Sequence, residues 1–421
     1  MRFNHLHEWL EWQETLHSQK IELGLERIAD VASSMGVAKP DHVIIIVAGT
    51  NGKGSIVSIL ESIYHHAGYR VGAYTSPHLL HYNERIRVCQ QNVSDDSLCN
   101  AFDKIDQARG ETSLSYFEFG TLAAMQIFNE SELDVAVYEV GLGGRLDAVN
   151  ILDAEVAIVS SIGIDHVQWL GSTRESIGFE KAGVFRALRP AVCGDNNPPN
   201  SIVEYADKIG TELLLMNDAY SYTKQSNNLW SFSSRKLNWD GLPMPNLYGE
   251  AQVGNAATAL MALIQLDEQL PVTRECVDRG LSNISLPGRF QRIQGHCEII
   301  LDVAHNVGSA TVLAKNLHEL KPVSKTIAVF AVLADKDVCG IIECVGGLFD
   351  EWHISQLESE RALEKESLKK QLDDCCHDCI VYTYSTVSEA YNSAKNSANE
   401  SMRIVVFGSF LTVAEVLSLE V

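Results

Sequence analysis

The 421-residue chain is short of positive charge: 33 lysines and arginines stand against 55 aspartates and glutamates, a formal net charge of -22. A polyanion would be repelled over most of such a surface, so neither nucleic acid nor an anionic membrane suits it as a partner. Any anionic ligand must be drawn in locally, by clustered Lys and Arg, metal ions and helix N-termini. Long apolar runs are missing too. The opening MRFNHLHEWLEWQETLHSQK has no apolar stretch of signal-peptide length, and no later segment approaches a membrane-spanning run, which sets a cytoplasmic expectation. Internal repeats and low-complexity tracts are absent. Cysteine is not scarce, with 10, but most stand singly in apolar segments (Cys89, Cys193, Cys297), as the reduced thiols of a large intracellular protein do. Cys375, Cys376, His377 and Cys379 crowd into DDCCHDC. No second half of a zinc site follows at the expected spacing, so this stretch reads as a surface turn.

What is present is alternation, in a chain long enough for two or three domains. From Asp41 a buried strand, HVIIIVAG, runs into a glycine-rich turn. A helix opened at Ser55 then repeats Ile56, Ile59, Leu60, Ile63 and Tyr64 along one face, and RVGAYTSP follows as a second strand. This is a βαβ unit with the glycine loop at its turn. DVAVYEVGL and AEVAIVSSIG add buried strands; FEFGTLAAMQIFNE is a helix before them, and a Ser172-x-x-Glu175 capping box opens another after them. Turn residues and aromatics from Ser221 to Gly249 indicate a small β element. After NISLPGRFQRI the alternation restarts with the strands EIILDVAHN, TIAVFAVLADKD, EWHISQL, CIVYTYS and RIVVFGS, and with helices from Gly308 and Glu360 among those between. The expectation is α/β throughout: residues 1–287 as a P-loop-containing domain on a mainly parallel sheet, 288–296 as a linker, and 297–421 as a Rossmann-like domain.

The chemistry centres on VAGTNGKGS, Val47 to Ser55. The common phosphate loop puts Ser or Thr directly after its Lys, whereas here Gly54 separates Lys53 from Ser55. The strand, loop and helix context still aims backbone N–H groups and a helix N-terminus at the turn, with Lys53 in reach of β- and γ-phosphates. The extra glycine moves the hydroxyl that would meet Mg²⁺ to Ser55. Three later motifs lie where strands end, the ligand edge of an open parallel sheet. They supply Ser76 and His78 (TSPHLLHYNERIRV), Glu139, Arg145 and Asp147 (EVGLGGRLDAVN), and Asp165 and His166 (SSIGIDHVQWLG). Each alone reads better as a turn cap or a satisfied polar residue. Together, beside a phosphate loop, they favour a metal site.

These motifs, with YFEFGTLAA, ESIGFEKAGVFR, LPGRF, LDVAHN and VFGSF, occur in the order seen in the folylpolyglutamate synthase family. Over nearly its whole length the chain resembles the bifunctional bacterial dihydrofolate synthase/folylpolyglutamate synthase branch. The resemblance implies a Mur-ligase-like first domain, in which a Gly between the Lys and Ser of the loop is the usual spelling. It implies an ATP-dependent ligase that joins L-glutamate to dihydropteroate and to reduced folates. By the same resemblance Gly52, Lys53, Gly54 and Ser55 hold the ATP phosphates, and Asn255, Arg289 and Asp302 hold the rest of the nucleotide. Two Mg²⁺ fall to Ser55 and to Ser76, Glu139 and His166. Lys181 matches the family's carbamylated lysine, although the residues alone make it an ordinary helix-face lysine. His305 and Ser409 suit the incoming glutamate or catalysis. Glu22, Leu23, Gly24, Ser115, Phe117, Arg145, Asp147 and Ala148 belong to the pteroate pocket. Glu22 and Ser115 stand where close relatives carry Asp and Thr, and LDVAHNVGS lacks the Pro that commonly follows its His-Asn pair. The expected protein is a monomer acting on small molecules. Its rivals are a cell-wall Mur ligase, against which the pterin-type motifs speak, an enzyme that only extends existing folates, and a P-loop NTPase that joins nothing.

Overall fold

The computed structural model describes residues 1–17, 22–226, 228–376 and 379–420. They form two compact units, one made of Met1–Gly163, Val167–Asn246 and Gln252–Ile284, the other of Ile164–His166, Leu247–Ala251 and the chain from Ser285 onward.

The first unit carries strands β1 (Val43–Ala48), β2 (Val71–Tyr74), β3 (Ile86–Val88), β4 (Gln91–Asn92), β5 (Val135–Glu139), β6 (Val156–Val159), β7 (Pro190–Cys193) and β8 (Glu212–Leu215). They make an 8-stranded sheet in the order β4-β3-β2-β5-β1-β6-β7-β8. Only the β2–β3 and β3–β4 pairings are antiparallel. Ile44 to Ala48 are all buried, which is why β1 reads as an unbroken apolar run rather than an alternating one. The sheet grows in both directions from β1, with β5 on one side and β6 on the other, so the turn after β1 stands at the topological switch point. The helices Lys53–His66 and Tyr116–Glu130 are buried over most of their length, polar residues such as Ser58, Glu61 and Thr121 included. The polar, aromatic stretch forms a 3-stranded antiparallel sheet, β9 (Tyr220–Lys224), β10 (Leu229–Ser234) and β11 (Asn238–Pro243), which buries Trp230 and Phe232.

One capping expectation is corrected. The helix Arg174–Ala182 is capped by Thr173, whose hydroxyl accepts from Ser176 N at 3.1 Å, and not by Ser172 with Glu175. Glu175 instead accepts from the amides of Asn200 (3.2 Å) and Ser201 (2.8 Å), where a carboxylate meets the N-terminal end of the helix Asn200–Ile209.

The second unit contains β12 (Gln291–Gln294), β13 (Glu298–Leu301), β14 (Lys325–Phe330), β15 (Glu351–Ile354), β16 (Ile380–Thr383) and β17 (Met402–Phe407), in the order β12-β13-β17-β14-β15-β16. The sheet is parallel except at β12, where part of the stretch read as linker pairs antiparallel with β13. Phe330, Phe349, Trp352 and Phe407 pack as one aromatic cluster in its core. The charged helix starts at Lys365 rather than Glu360, because the preceding residues bond to the chain leaving β14: Ala334 N donates to Arg361 O (2.9 Å) and Leu363 N to Val332 O (3.1 Å). Cys193 and Cys297 are buried free thiols, and Cys89 is half-buried. Cys376 and Cys379 form a disulfide just past the helix Lys365–Cys375, while His377 lies outside the described residues. Among the described residues no helix is long and apolar enough to cross a membrane.

Candidate active site

The turn after β1 is fixed by register. Val47 pairs with Glu139 on β5 and Ala48 with Val159 on β6, so the segments leaving both neighbours emerge beside it. Gly49 has φ +145°, and a Cβ there would lie 1.8 Å from Ser160 Oγ; Gly52 has φ +89°, and a Cβ would lie 2.6 Å from Asn255 Oδ1. Both positions need glycine. The loop between them is tied to the end of β6: Thr50 N donates to Ser161 O (2.7 Å), Asn51 N to Ser161 Oγ (3.1 Å), and Ser160 Oγ to Asn51 O (2.7 Å). The helix begins at Lys53, two residues before the expected Ser55, and no side chain caps it at Gly52. Its first-turn N–H groups therefore face the loop as donors for an anion, the arrangement that binds phosphate. Lys53, Gly54 and Ser55 occupy that turn, with Ser55 2% exposed.

Two lysines meet at one carbonyl. Lys53 Nζ donates to Gly49 O (3.2 Å) and Thr50 O (3.3 Å), and lies 4.0 Å from Glu139 Oε1. Lys181, only 4% exposed, donates to Gly49 O at 2.8 Å. The residues alone made it an ordinary helix-face lysine; its burial against the phosphate loop is what three dimensions add. Glu139 is buried, and its Oε2 accepts from Ser76 N at 3.2 Å. The hydroxyl of Ser55 and the carboxylate of Glu139 are hard oxygen donors of the kind Mg²⁺ takes. Among the described residues no three His, Cys, Asp or Glu side chains are grouped to hold a metal by themselves. An ion here would draw further ligands from phosphate and water, as Mg²⁺ ordinarily does. His166, with φ +51°, belongs to the second unit, whereas Ser76 and Glu139 belong to the first. His78 accepts from Arg85 Nε (2.8 Å), and burial, then the Arg85 charge, pushes its pKa down to about 4.

The residues expected around a pterin come from three segments of the first unit. Gly24 N donates to Leu146 O (3.3 Å), joining Glu22 to Gly24 with the loop that carries Arg145, Asp147 and Ala148. Phe117 packs on Gly141, where a Cβ would come within 2.6 Å of its ring, and its centroid is 5.9 Å from that of Tyr74. Asp147, 2% exposed, accepts from Leu142 N (2.8 Å) and Val149 N (3.0 Å); burial outweighs these bonds and raises its pKa to about 7. Ala148 is buried at the start of the short helix Ala148–Ile151. Arg145 is engaged with Glu180 at 2.9 Å, and Ser115 uses its hydroxyl to cap the helix Tyr116–Glu130. Leu23 is half-buried. Glu22 lies 2.6 Å from His17 Nε2 and pairs with Arg27, which also reaches Glu118 at 3.2 Å; the His17 bond, then Arg27, lowers the Glu22 pKa. Arg27 and Glu118 lie inside the motifs ELGLERI and SYFEFG, but no local spacing announces a pair 91 residues apart.

In the second unit, Asp302 accepts from Phe290 N (2.9 Å) and Ala304 N (2.8 Å); burial, opposed by the Arg289 charge, raises its pKa to about 6. Arg289 lies over the Phe410 ring, 5.0 Å from its centroid. Ser409 is buried and accepts from Thr412 N at 2.9 Å, a helix-start contact. The His305 ring is held at Nδ1 by Val303 O (2.8 Å), and its Nε2 is 3.5 Å from Asp165 Oδ2. Asn255, in the first unit, donates to Gln252 Oε1 (3.0 Å) beside Gly52.

A phosphate loop at the switch point of one α/β unit, with a buried lysine at its carbonyl and a second α/β unit following, is the architecture of a Mur ligase. Residues 47–263 match the Mur ligase middle domain and residues 288–410 the Mur ligase glutamate ligase domain. The dihydrofolate synthase/folylpolyglutamate synthase of Escherichia coli (strain K12) is 41% identical over 412 residues, covering 98% of this chain and 94% of that one. The E. coli FolC structure in complex with DHPP and ADP is similar at TM-score 0.94 and 40% identity, over 99% of this chain and 98% of that one. A bifunctional folylpolyglutamate synthase/dihydrofolate synthase solved with Mn, AMPPNP and L-glutamate bound is similar at TM-score 0.92 and 42% identity, over 99% and 98%. The chain belongs to the dihydrofolate synthase/folylpolyglutamate synthase family of Mur ligases.

Proposed function

We propose that this chain uses ATP to join L-glutamate to dihydropteroate, giving dihydrofolate, and to add further glutamates to reduced folates. A carboxylate does not condense with an amine at neutral pH, so the acid must first acquire a leaving group. A carboxylate oxygen of the substrate attacks the γ-phosphorus of ATP and displaces ADP, giving an acyl phosphate. The glutamate amine then attacks the acyl carbon, and the tetrahedral intermediate collapses to amide and phosphate. First-turn amides of Lys53–His66 hold the phosphates, and Lys53 offsets charge on the phosphoryl group in transit, the main task in such a transfer. Two Mg²⁺ are assigned to Ser55, Ser76, Glu139 and His166, and when bound would supply charge neutralisation at the phosphoryl oxygens. Lys181 is assigned as the carbamylated lysine, Asn255, Arg289 and Asp302 to the nucleotide, and His305 to the glutamate end. Phe117 offers a face for the pterin ring beside Gly24, Arg145, Asp147 and Ala148.

The observation that carries this reading is the convergence of Lys53 and Lys181 on the Gly49 carbonyl, with Glu139 4.0 Å from Lys53, at the end of β1. The reading includes domains at 1–287 and 297–421 joined by a linker, in a cytoplasmic monomer, and the charge of -22 supports small molecules over nucleic acid or membrane as partners. Product masses test it. Protein with Mg-ATP and L-glutamate is given dihydropteroate in one tube and a reduced folate monoglutamate in another. Dihydrofolate from the first and added glutamates from the second are expected. Extension alone would make it a monofunctional folylpolyglutamate synthase, and ADP without any amide would sink the ligase reading.

A further inference from the structure

The segment Ile164–His166 belongs to the second unit, and there the side chain of Asp165 is enclosed by groups no local motif connects to it. Lys336 Nζ lies 2.7 Å from Oδ1, and Asn306 Nδ2 donates to Oδ2 at 3.0 Å. His305 Nε2 stands 3.5 Å from that same Oδ2. Asp165 and Lys336 are 8% and 5% exposed at their side chains, so neither charge is well served by water. Lys336 also reaches Asp335 at 3.3 Å, and Asp335 in turn is held by Arg361 at 2.8 Å. A buried carboxylate is stable only when paired and hydrogen-bonded, and removing one partner of such a set leaves the others misplaced.

Three supports thus depend on one carboxylate. His305 is anchored at Nδ1 by the backbone carbonyl of Val303, two residues earlier, and Asp165 lies on the Nε2 side of the ring. Asn306 caps the helix Val307–His318 with the same side chain that donates to Asp165. Lys336 comes from the turn after β14. We propose that Asp165 is a positioning residue for recognition of the incoming amino acid: it draws His305, Asn306 and Lys336 into one arrangement without itself taking part in bond making. This rests on the reading of the chain as a glutamate ligase with His305 at the glutamate end.

A positioning role at that end has a signature that general support of the fold lacks. Asp165→Asn is expected to raise the KM for L-glutamate about tenfold or more while the KM values for ATP and pteroate stay within about twofold. Acyl phosphate formation without glutamate, followed as heavy-oxygen transfer from the substrate carboxylate to phosphate, should be unchanged. Asp165→Glu keeps the charge and displaces it, so a smaller rise of about threefold is expected; it also serves if the Asn variant does not fold. An unmoved glutamate KM, or an equal loss in both half-reactions with a lowered melting temperature, would overturn the proposal. So would a raised Mg²⁺ requirement with the glutamate KM unchanged, which would place Asp165 in the service of His166 alone. Wild-type protein that forms no amide at all would overturn the parent reading and this inference with it.

Discussion

Lys53 and Lys181 donate to the same backbone oxygen, yet their assigned roles have opposite charge: Lys53 remains a cation beside the phosphates, and Lys181 becomes a carbamate anion. Dialysed, CO₂-depleted protein should therefore gain activity when bicarbonate is added, and Lys181→Arg should be inactive and unresponsive. Full activity in the Arg variant would refute the assignment. Lys53 could be read from the loop spacing, because a lysine at a strand-to-helix turn has few other uses. Lys181 could not, since its burial against Gly49 O is a contact over 132 residues that helix periodicity does not register. Asp147 gives a test by pH. Its pKa is 3.8 in the unfolded chain and about 7 in the fold, so the folded state keeps a proton that the unfolded chain releases between those values. Its stabilising contribution is full below the lower value and is lost as pH rises through the upper one, by at most about 1.4 kcal/mol per pH unit. Urea denaturation of the ligand-free protein from about pH 5 to about pH 8 should show this decline, flattened in Asp147→Asn. An identical slope in both proteins would mean that Asp147 is not the group responsible.

Elements were legible wherever burial was symmetric. β1, β5 and β6 are covered on both faces, and their continuous apolar runs were read from sequence without ambiguity. Element ends were less legible, because caps and loop pairings compete within a residue or two: Thr173 displaced Ser172, and the chain before Lys365 was taken up by bonding to the exit of β14. Ser115 shows how such an end serves a site. Its hydroxyl accepts from Glu118 N, and Glu118 Oε2 accepts from Ser115 N at 2.7 Å, so the pair starts the helix that carries Phe117. Ser115→Ala should cost about 1 kcal/mol of stability, and Ser115→Thr, which also caps, close to nothing. Denaturation midpoints will distinguish this from a direct pteroate contact, whose loss would raise the pteroate KM and leave stability unmoved. Gly49 is the stricter case. A Cβ there would fall 1.8 Å from Ser160 Oγ in a backbone conformation that side chains rarely adopt, so the loop or the end of β6 must move. Gly49→Ala should weaken ATP binding by about tenfold or more, read by nucleotide titration, whereas unchanged affinity would show that the loop does not set the phosphate site.

At the scale of the whole molecule, the two α/β sheets followed from alternation alone, and the order of the motifs supplied the family. Side-chain networks between distant segments stayed out of sight. The Asp165, Lys336 and His305 set and the Glu22, Arg27 and Glu118 set each join residues by tertiary contact, and no single stretch of sequence contains the reason for them. These networks position the groups, whereas the loop and its lysines identify the chemistry. That chemistry makes one claim above the rest: an oxygen of the substrate carboxylate leaves on phosphate. Dihydropteroate carrying heavy oxygen in its carboxylate, incubated with Mg-ATP, L-glutamate and the protein, is the measurement that tests it most directly. Inorganic phosphate bearing one heavy oxygen for each dihydrofolate formed is the expected result. Unlabelled phosphate, or pyrophosphate with AMP in place of ADP, would contradict the acyl-phosphate route.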